Sequence, residues 1–258
     1  KEPSKFIGEL TKSDYIFQDP GISFSTKRKL TPQPKDEVIN ISLNFSVLKD
    51  FFECNYRFKL ISMYGFCYPL DQRMGYGKSL HDTLMEMHKK SMLHQPLDET
   101  IVEEIAKSQS YFPYLGKSSE LEKMKDLVIK KAKEYYASNK DSFPNIEFVE
   151  QDIQINLGDG ILVSGRIDLI KRKKIDNTFE TTIIEFKSKE NVQSSSITKE
   201  QLNLYALGHK ELTGEKADFI QIYDIDKNTP KPAFILSENH LIETSKKIQN
   251  AATTIRKQ

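Results

Sequence analysis

The chain has 258 residues, 38 of them basic and 37 acidic, with two cysteines and no tryptophan. At 38% hydrophobic and 29% charged it reads as one large globular domain or a medium domain with appendages, neither disordered nor fibrous. No apolar run approaches the roughly 20 residues of a membrane helix, the first ten residues lack the apolar core of a secretory signal, two cysteines are too few for a disulfide framework, so a reducing cytoplasm is expected, and a net charge of +1 gives no bulk pull toward nucleic acid.

Residues 1–42 read as a lead-in. Pro3, Pro20, Pro32 and Pro34 punctuate them, Lys27-Arg28-Lys29 adds a basic cluster, and the apolar residues keep no period. Packing is expected from about Ile41. Ser46 is placed as the cap of a first helix in which Leu48, Phe51 and Phe52 fall at i, i+3 and i+4. Spacing predicts further helices over 76–92, with Leu80, Leu84 and Met87 on one face, and over 98–109 and 119–139. After Pro144 the texture changes. β-Branched and aromatic residues alternate over 146–157, 161–172 and 179–188, separated by Gly158-Asp159-Gly160 and Asp176-Asn177, which reads as a three-stranded antiparallel meander. A helix is predicted from Thr198, where Gln201 completes a capping-box pattern and Ile197 with Leu202 a hydrophobic staple. Strands over 217–225 and 233–236 and a helix over 241–255 complete a mixed α/β core with an N-terminal helical elaboration.

The chemistry concentrates in Gly165-Arg166-Ile167-Asp168 and, seventeen residues after Asp168, Glu185-Phe186-Lys187. Strand alternation puts Glu185 and Lys187 on one face, and pairing across the 175–179 turn would bring Asp168 beside Glu185. Two carboxylates and one ammonium converging at a sheet end conflict unless a divalent cation joins them, and carboxylate oxygens suit Mg²⁺ or Mn²⁺. A salt-bridged pair of edge strands fits the same three residues. His81 lies at the margin of its helix's apolar face, where it suits a boundary residue as well as a ligand, while His88 reads as packing or surface. Gln201 and Tyr205, four apart, share a helix face; alternatively Gln201 closes the capping box and Tyr205 is core. Arg166 either touches a phosphate or pairs with a carboxylate, and Glu150 lies near the site or on the surface. Lys171, Arg172, Lys173 and Lys174 form a basic turn that either gathers a phosphate backbone or is simply solvated. Tyr111, Phe112 and Tyr114 either stack on single-stranded bases or pack their loop.

Asp168 with Glu185-x-Lys187 resembles the core of the PD-(D/E)XK, restriction-endonuclease-like nuclease superfamily. Gly77-Lys-Ser-Leu-His81 resembles the G-x-x-x-H helix of its RecB-like branch, and Gln201-Leu-Asn-Leu-Tyr205 the Q-x-x-x-Y helix. Ser46 to Phe58 resembles the branch's opening helix, with Asn55 where Pro commonly follows Cys. The likeness covers about 43–258, the expected nuclease domain. It implies a restriction-endonuclease-like core: a mixed central sheet flanked by helices. It also implies a DNA nuclease in which Asp168, Glu185, the Phe186 carbonyl and His81 hold Mg²⁺ or Mn²⁺. Lys187 would stabilise the phosphate and hold or deprotonate the attacking water, and Gln201 and Tyr205 would contact substrate and support the carboxylates. Some relatives hold an iron–sulfur cluster on one early and three late cysteines. Cys54 matches the early one, but no cysteine follows Cys67, so no iron–sulfur cluster is expected. Pro3 to Leu10 resembles the end of the motor core in UvrD/PcrA-type superfamily 1 DNA helicases. That likeness implies helicase motor domains in cis, residues 1–42 being a linker with their remnant, and single-stranded or unwound DNA as partner in repair or recombination. A catalytically silent DNA-binding or partner-docking module of the same fold is the alternative.

Overall fold

A computed structural model describes residues 40–67, 74–116, 118–189 and 195–257. The lead-in as far as residue 39, with the helicase-like stretch from Pro3 to Leu10, lies outside the described residues. In chain order the elements are strand β1 (Ile41–Asn44), helices α1 (Phe45–Glu53) and α2 (Asn55–Phe58), a π-helical turn (Lys59–Met63), and helices α3 (Tyr76–Met92), α4 (Glu99–Gln109) and α5 (Ser118–Asn139). A 3₁₀ turn (Lys140–Asn145) leads into strands β2 (Ile146–Asn156), β3 (Ile161–Ile175) and β4 (Thr178–Lys187). Helix α6 (Ser195–Thr213), strands β5 (Phe219–Asp224), β6 (Thr229–Pro230) and β7 (Phe234–Ile235), and helix α7 (Glu238–Arg256) follow.

The long strand β3 organises the sheet. β2 runs antiparallel along one side of it, from Ile146↔Lys171 to Asn156↔Leu162. On the other side two strands share its edge in succession. β1 lies parallel to its first residues, Ile41↔Ile161 to Asn44↔Ser164, and β4 lies antiparallel to its last, Leu169↔Ile184 to Ile175↔Thr178. From Gly165 to Asp168 that edge of β3 pairs with neither β1 nor β4. β5 continues the sheet parallel to β4, with β6 and β7 antiparallel on β5. The predicted meander is therefore present as β2–β3–β4, within a mixed sheet.

Two apolar cores form. One joins Leu43, Phe45 and Leu48 to Leu202, Leu204 and Ala206 of α6 and to Leu241 and Ile248 of α7. The other joins Leu80, Leu84 and Met87 of α3 to Val102 and Ile105 of α4 and Val128 and Ala132 of α5. Strand alternation feeds one core with Ile183 and the other with Ile184 and Phe186. In β3 the alternation slips at Asp168: Val163 and Ile167 belong to the first core, Leu169 to the second and Ile170 to the first again. The register sets Glu150 of β2 between the pairs Val149↔Leu169 and Gln151↔Ile167, hence opposite Asp168, and Glu150 has a left-handed φ of 51°. That backbone is disfavoured for a residue with a Cβ, and it shifts β2 and β3 in phase at the same level.

Three local expectations are corrected. The cap of α1 is Asn44, whose Oδ1 accepts from Val47 N–H at 3.0 Å, because β1 delivers Asn44 to the helix start in extended conformation; Ser46 lies inside the first turn. Helix α6 begins at Ser195, so Thr198 sits within it and Gln201 is free to turn away from the helix end. Lys171 to Lys174 belong to strand β3 and not to a turn, because the β3–β4 ladder continues to Ile175↔Thr178. No helix among the described residues is long and apolar enough to cross a membrane.

Candidate metal centre

The unpaired stretch of β3 collects the charged side chains. Asp168 is the residue at which the β3–β4 ladder has just parted, opposite Glu185 in register. The backbone N–H of Phe186 donates to Asp168 Oδ2 at 2.8 Å, so a side chain takes the place of the missing ladder bond. Glu185 is 4% exposed. Its Oε1 accepts from Lys187 Nζ and from Gln201 Nε2, both at 2.7 Å. Lys187 Nζ also donates to Gln201 Oε1 at 2.9 Å, and Gln201 Nε2 reaches the Tyr205 hydroxyl at 2.8 Å. Gln201 thus hydrogen-bonds both Glu185 and Lys187, and not the helix cap. Gly165 makes room for this arrangement, since a Cβ there would stand 3.0 Å from the Tyr205 ring.

The second carboxylate oxygen of Glu185, Oε2, is buried and has no hydrogen-bond partner among the described residues. A buried, unmet carboxylate oxygen is costly, and either a proton or a bound cation removes the cost. From the opposite face α3 brings His81, with Nδ1 3.6 Å from Asp168 Oδ2 and its ring edge-on to Phe186. Glu150 comes from β2. One ligand atom each from His81, Glu150 and Asp168 lie within 4.8 Å of one another, a donor set of one imidazole and two carboxylates. The resemblance had suggested Glu185 and the Phe186 carbonyl beside His81 and Asp168, and had left Glu150 open. A sequence signal for Glu150 does exist. The β2–β3 turn is centred on Asp159, and reflecting Asp168 across it lands on position 150.

The electrostatics agree with a site built for a cation. Burial first, and then the charge of Glu150, pushes the Asp168 carboxyl up to about 7. Burial first, and then the charge of Asp168, pushes Glu185 up to about 7 as well. Glu150 is also raised, mainly by burial. Burial lowers the His81 imidazole below its usual value, which favours the neutral ring that ligates metals. Tyr205 is raised, by burial before the Glu185 charge, and stays protonated.

The basic residues are placed otherwise. Arg166 is exposed and pairs with Asp152 at 2.8 Å and Glu150 at 3.7 Å. Lys171 is partly buried, donates to Ser142 Oγ at 2.7 Å, and has its pKa pushed down to about 8 by burial. Arg172 is held by Glu147 at 3.1 Å and Glu215 at 2.9 Å and lies over the Phe179 ring. Lys173 and Lys174 are exposed, but five and six residues of strand carry them roughly 17–20 Å from Asp168. The basic run is not brought to the carboxylates. His88 is buried packing: it stacks on Phe186, and its Nε2 lies 3.0 Å from the Tyr135 hydroxyl. Phe112 is core, whereas Tyr111 and Tyr114 are exposed. A groove of about 430 Å³ runs beside the site, lined by Asn44, Ser46, Asp152, Arg166, Gln201 and Tyr205 among others.

No curated protein matches the chain. Among solved structures it is similar to a candidate exonuclease from Eubacterium rectale, at 12% identity over 82% of this chain and 80% of that chain, with a TM-score of 0.42. It is also similar to the protein SSO0001, at 16% identity over 76% of this chain and 82% of that one, with a TM-score of 0.30. The sequence profile of the PD-(D/E)XK nuclease superfamily matches residues 42–257, from β1 through α7. Over that span, which carries the whole described sheet and every residue gathered at the gap in β3, the chain belongs to the PD-(D/E)XK nuclease superfamily.

Proposed function

We propose that this chain is a divalent-metal-dependent deoxyribonuclease of the RecB-like branch, hydrolysing phosphodiester bonds at the gap between β1 and β4. The observation that carries the reading is the buried Glu185 carboxylate, with one oxygen held by Lys187 and Gln201 and the other without a hydrogen-bond partner among the described residues, beside the His81–Glu150–Asp168 cluster. Asp168, Glu185, Glu150 and His81 are the residues that would hold Mg²⁺ or Mn²⁺, with the Phe186 carbonyl as a further ligand. A bound divalent ion supplies an activated water and a polarised phosphoryl oxygen at neutral pH. The chain's own part is to desolvate and orient. Glu185 and Gln201 aim the Lys187 ammonium, which neutralises charge developing on the phosphate and holds the attacking water. Gln201 and Tyr205 brace that pair and face the groove through which a strand passes, and Arg166 at its rim meets a phosphate.

The branch assignment is supported by the approach of the two motif helices to neighbouring carboxylates, the G-x-x-x-H helix bringing His81 beside Asp168 and the Q-x-x-x-Y helix bonding Gln201 to Glu185. With the helicase-like stretch at Pro3 to Leu10, it leads us to read 43–258 as the nuclease module of a helicase–nuclease. Motor domains in cis would feed it single-stranded or unwound DNA during repair or recombination. The test is incubation with labelled single- and double-stranded DNA and Mn²⁺ or Mg²⁺. Cleavage that Asp168→Ala abolishes is expected. Binding without cleavage under every metal would replace the reading by a silent DNA-binding module, and absence of binding by a partner-docking domain.

A further inference from the structure

Helix α3 carries His81 into the site. The residue before it, Gly75, has a φ of 115°, and the first turn holds no acidic residue. The end of β4 carries Lys187, and the chain leaves the sheet immediately after it. The turn after β5 reaches both places. Asp226 Oδ1 accepts from the Tyr76 hydroxyl at 2.8 Å, and Tyr76 is the first residue of α3. Asp226 Oδ2 accepts from the backbone N–H of Lys189 at 2.6 Å, two residues beyond Lys187. The neighbouring Ile225 N–H donates to the Lys187 carbonyl at 2.9 Å. The turn itself is fixed to α5, since Lys131 Nζ donates to the Asp226 carbonyl at 2.6 Å and Asn228 Nδ2 to the Glu134 carbonyl at 3.1 Å.

We infer that Asp226 is a positioning residue of the metal centre: one carboxylate, with one oxygen on each segment, sets the distance between the helix that presents His81 and the strand end that presents Lys187. The inference rests on the nuclease reading above and extends it to a residue in none of the motifs. His81 lies five residues along α3 from Tyr76, about 7.5 Å of helix axis, so a tilt at the helix start is passed directly to the imidazole. Displacements near 1 Å at such a site cost on the order of a hundredfold in rate, and loss of a group that orients metal ligands typically weakens metal binding about 10- to 100-fold.

The experiment compares the 258-residue wild type with Asp226→Ala, Asp226→Asn, Tyr76→Phe and, as a control, Lys131→Met, which loosens the same turn without touching either carboxylate oxygen. Three quantities are read: exchange of the Lys189 amide hydrogen without metal, Mn²⁺ affinity by electron paramagnetic resonance, and kcat and KM on single-stranded DNA. For Asp226→Ala we expect faster exchange at Lys189, Mn²⁺ binding weakened about tenfold, and kcat lowered about 10- to 100-fold with KM within about twofold. Tyr76→Phe should move Mn²⁺ affinity and kcat the same way by about threefold, and should add nothing to Asp226→Ala, because both remove one contact. Lys131→Met should lower the melting temperature and leave Mn²⁺ affinity unchanged. If Asp226→Ala does not fold, Asp226→Asn and Tyr76→Phe decide by the same readouts. Mn²⁺ affinity within twofold of wild type in every folded variant overturns the inference, as does an equal loss in Lys131→Met. A wild type that neither binds Mn²⁺ nor cleaves DNA overturns the nuclease reading and this inference together, whereas an active wild type with unaltered variants overturns this inference alone.

Discussion

The two ends of the β3–β4 hairpin carry similar densities of charge and treat it in opposite ways. At the outer end Arg172 is neutralised by Glu147 and Glu215, Lys171 is tied to Ser142, and Lys173 and Lys174 stand in solvent. At the inner end the ladder parts, partly buried Asp168 lies beside buried Glu185 with both carboxyls raised to about 7, and one oxygen of Glu185 has no hydrogen-bond partner among the described residues. A charged residue does chemistry where the fold denies it water and leaves it a valence to fill, not where charges are most frequent in sequence. The net charge of +1 is blind to this division, in which Arg166 and Arg172 are matched by carboxylates within the fold.

The largest test of that contrast is removal of the inner carboxylates. Asp168→Ala or Glu185→Ala should lower cleavage of labelled DNA at least about a thousandfold, roughly 4 kcal/mol of transition-state stabilisation, while the double variant Lys173→Ala/Lys174→Ala stays within about threefold. Equal losses at both ends would break the comparison.

Next in size is Glu150, whose φ of 51° and partly buried carboxylate both work against the fold. Glu150→Asn places a residue tolerant of the left-handed region there and removes the charge. It should raise the urea-unfolding stability of the metal-free protein by about 1 kcal/mol while weakening Mn²⁺ binding about 10- to 100-fold. A variant that is less stable and binds Mn²⁺ as tightly as wild type would show that the phase shift at Glu150 serves packing alone.

The third prediction concerns pH. In the metal-free protein Asp168 and Glu185 titrate near 7, so below that pH they hold protons that a cation must displace, and above it they do not. Mn²⁺ affinity should therefore be weaker at pH 6 than at pH 7.5, by about tenfold for each proton displaced per pH unit below the pKa. Resonance titrations at the two pH values measure it, and tighter binding at pH 6 would contradict the burial argument. The smallest effect belongs to the outer end. Lys171→Met replaces an ammonium already depressed by burial with an apolar chain of similar length, so unfolding stability at pH 7 should change by less than about 1 kcal/mol. A larger loss would mean that the Ser142 bond is more than a way of satisfying a buried amine.

Much of the fold is legible along the chain because its signals are periodic. Helix α3 lies over the predicted 76–92, α4 and α5 fall within a residue of their predicted starts, and β2–β3–β4 follow the alternation and the Gly158-Asp159-Gly160 turn. Strand β1 was missed because four residues are too few to carry a period, and its partner lies 120 residues away, Ile41↔Ile161. The cap at Ser46 failed with it, since β1 supplies Asn44 as the cap of α1, whereas the one at Thr198 failed because α6 begins three residues earlier.

For the candidate site, sequence alone determined residue types and order: Asp168, the Glu185-x-Lys187 triplet, His81 on one helix and Gln201 with Tyr205 on another. These are local properties, since strand and helix spacing decide which neighbours share a face. Only the tertiary structure decided that Glu150 joins His81 and Asp168, that Gln201 serves Glu185 and not the helix end, that Arg166 pairs with Asp152 and Glu150, and that Asp226 ties two segments together. Each depends on strand register or on elements remote in sequence, and above all on burial. Desolvation raises Asp168 and Glu185 and leaves an oxygen unmet, and it exists only once the helices have closed over both faces of the sheet.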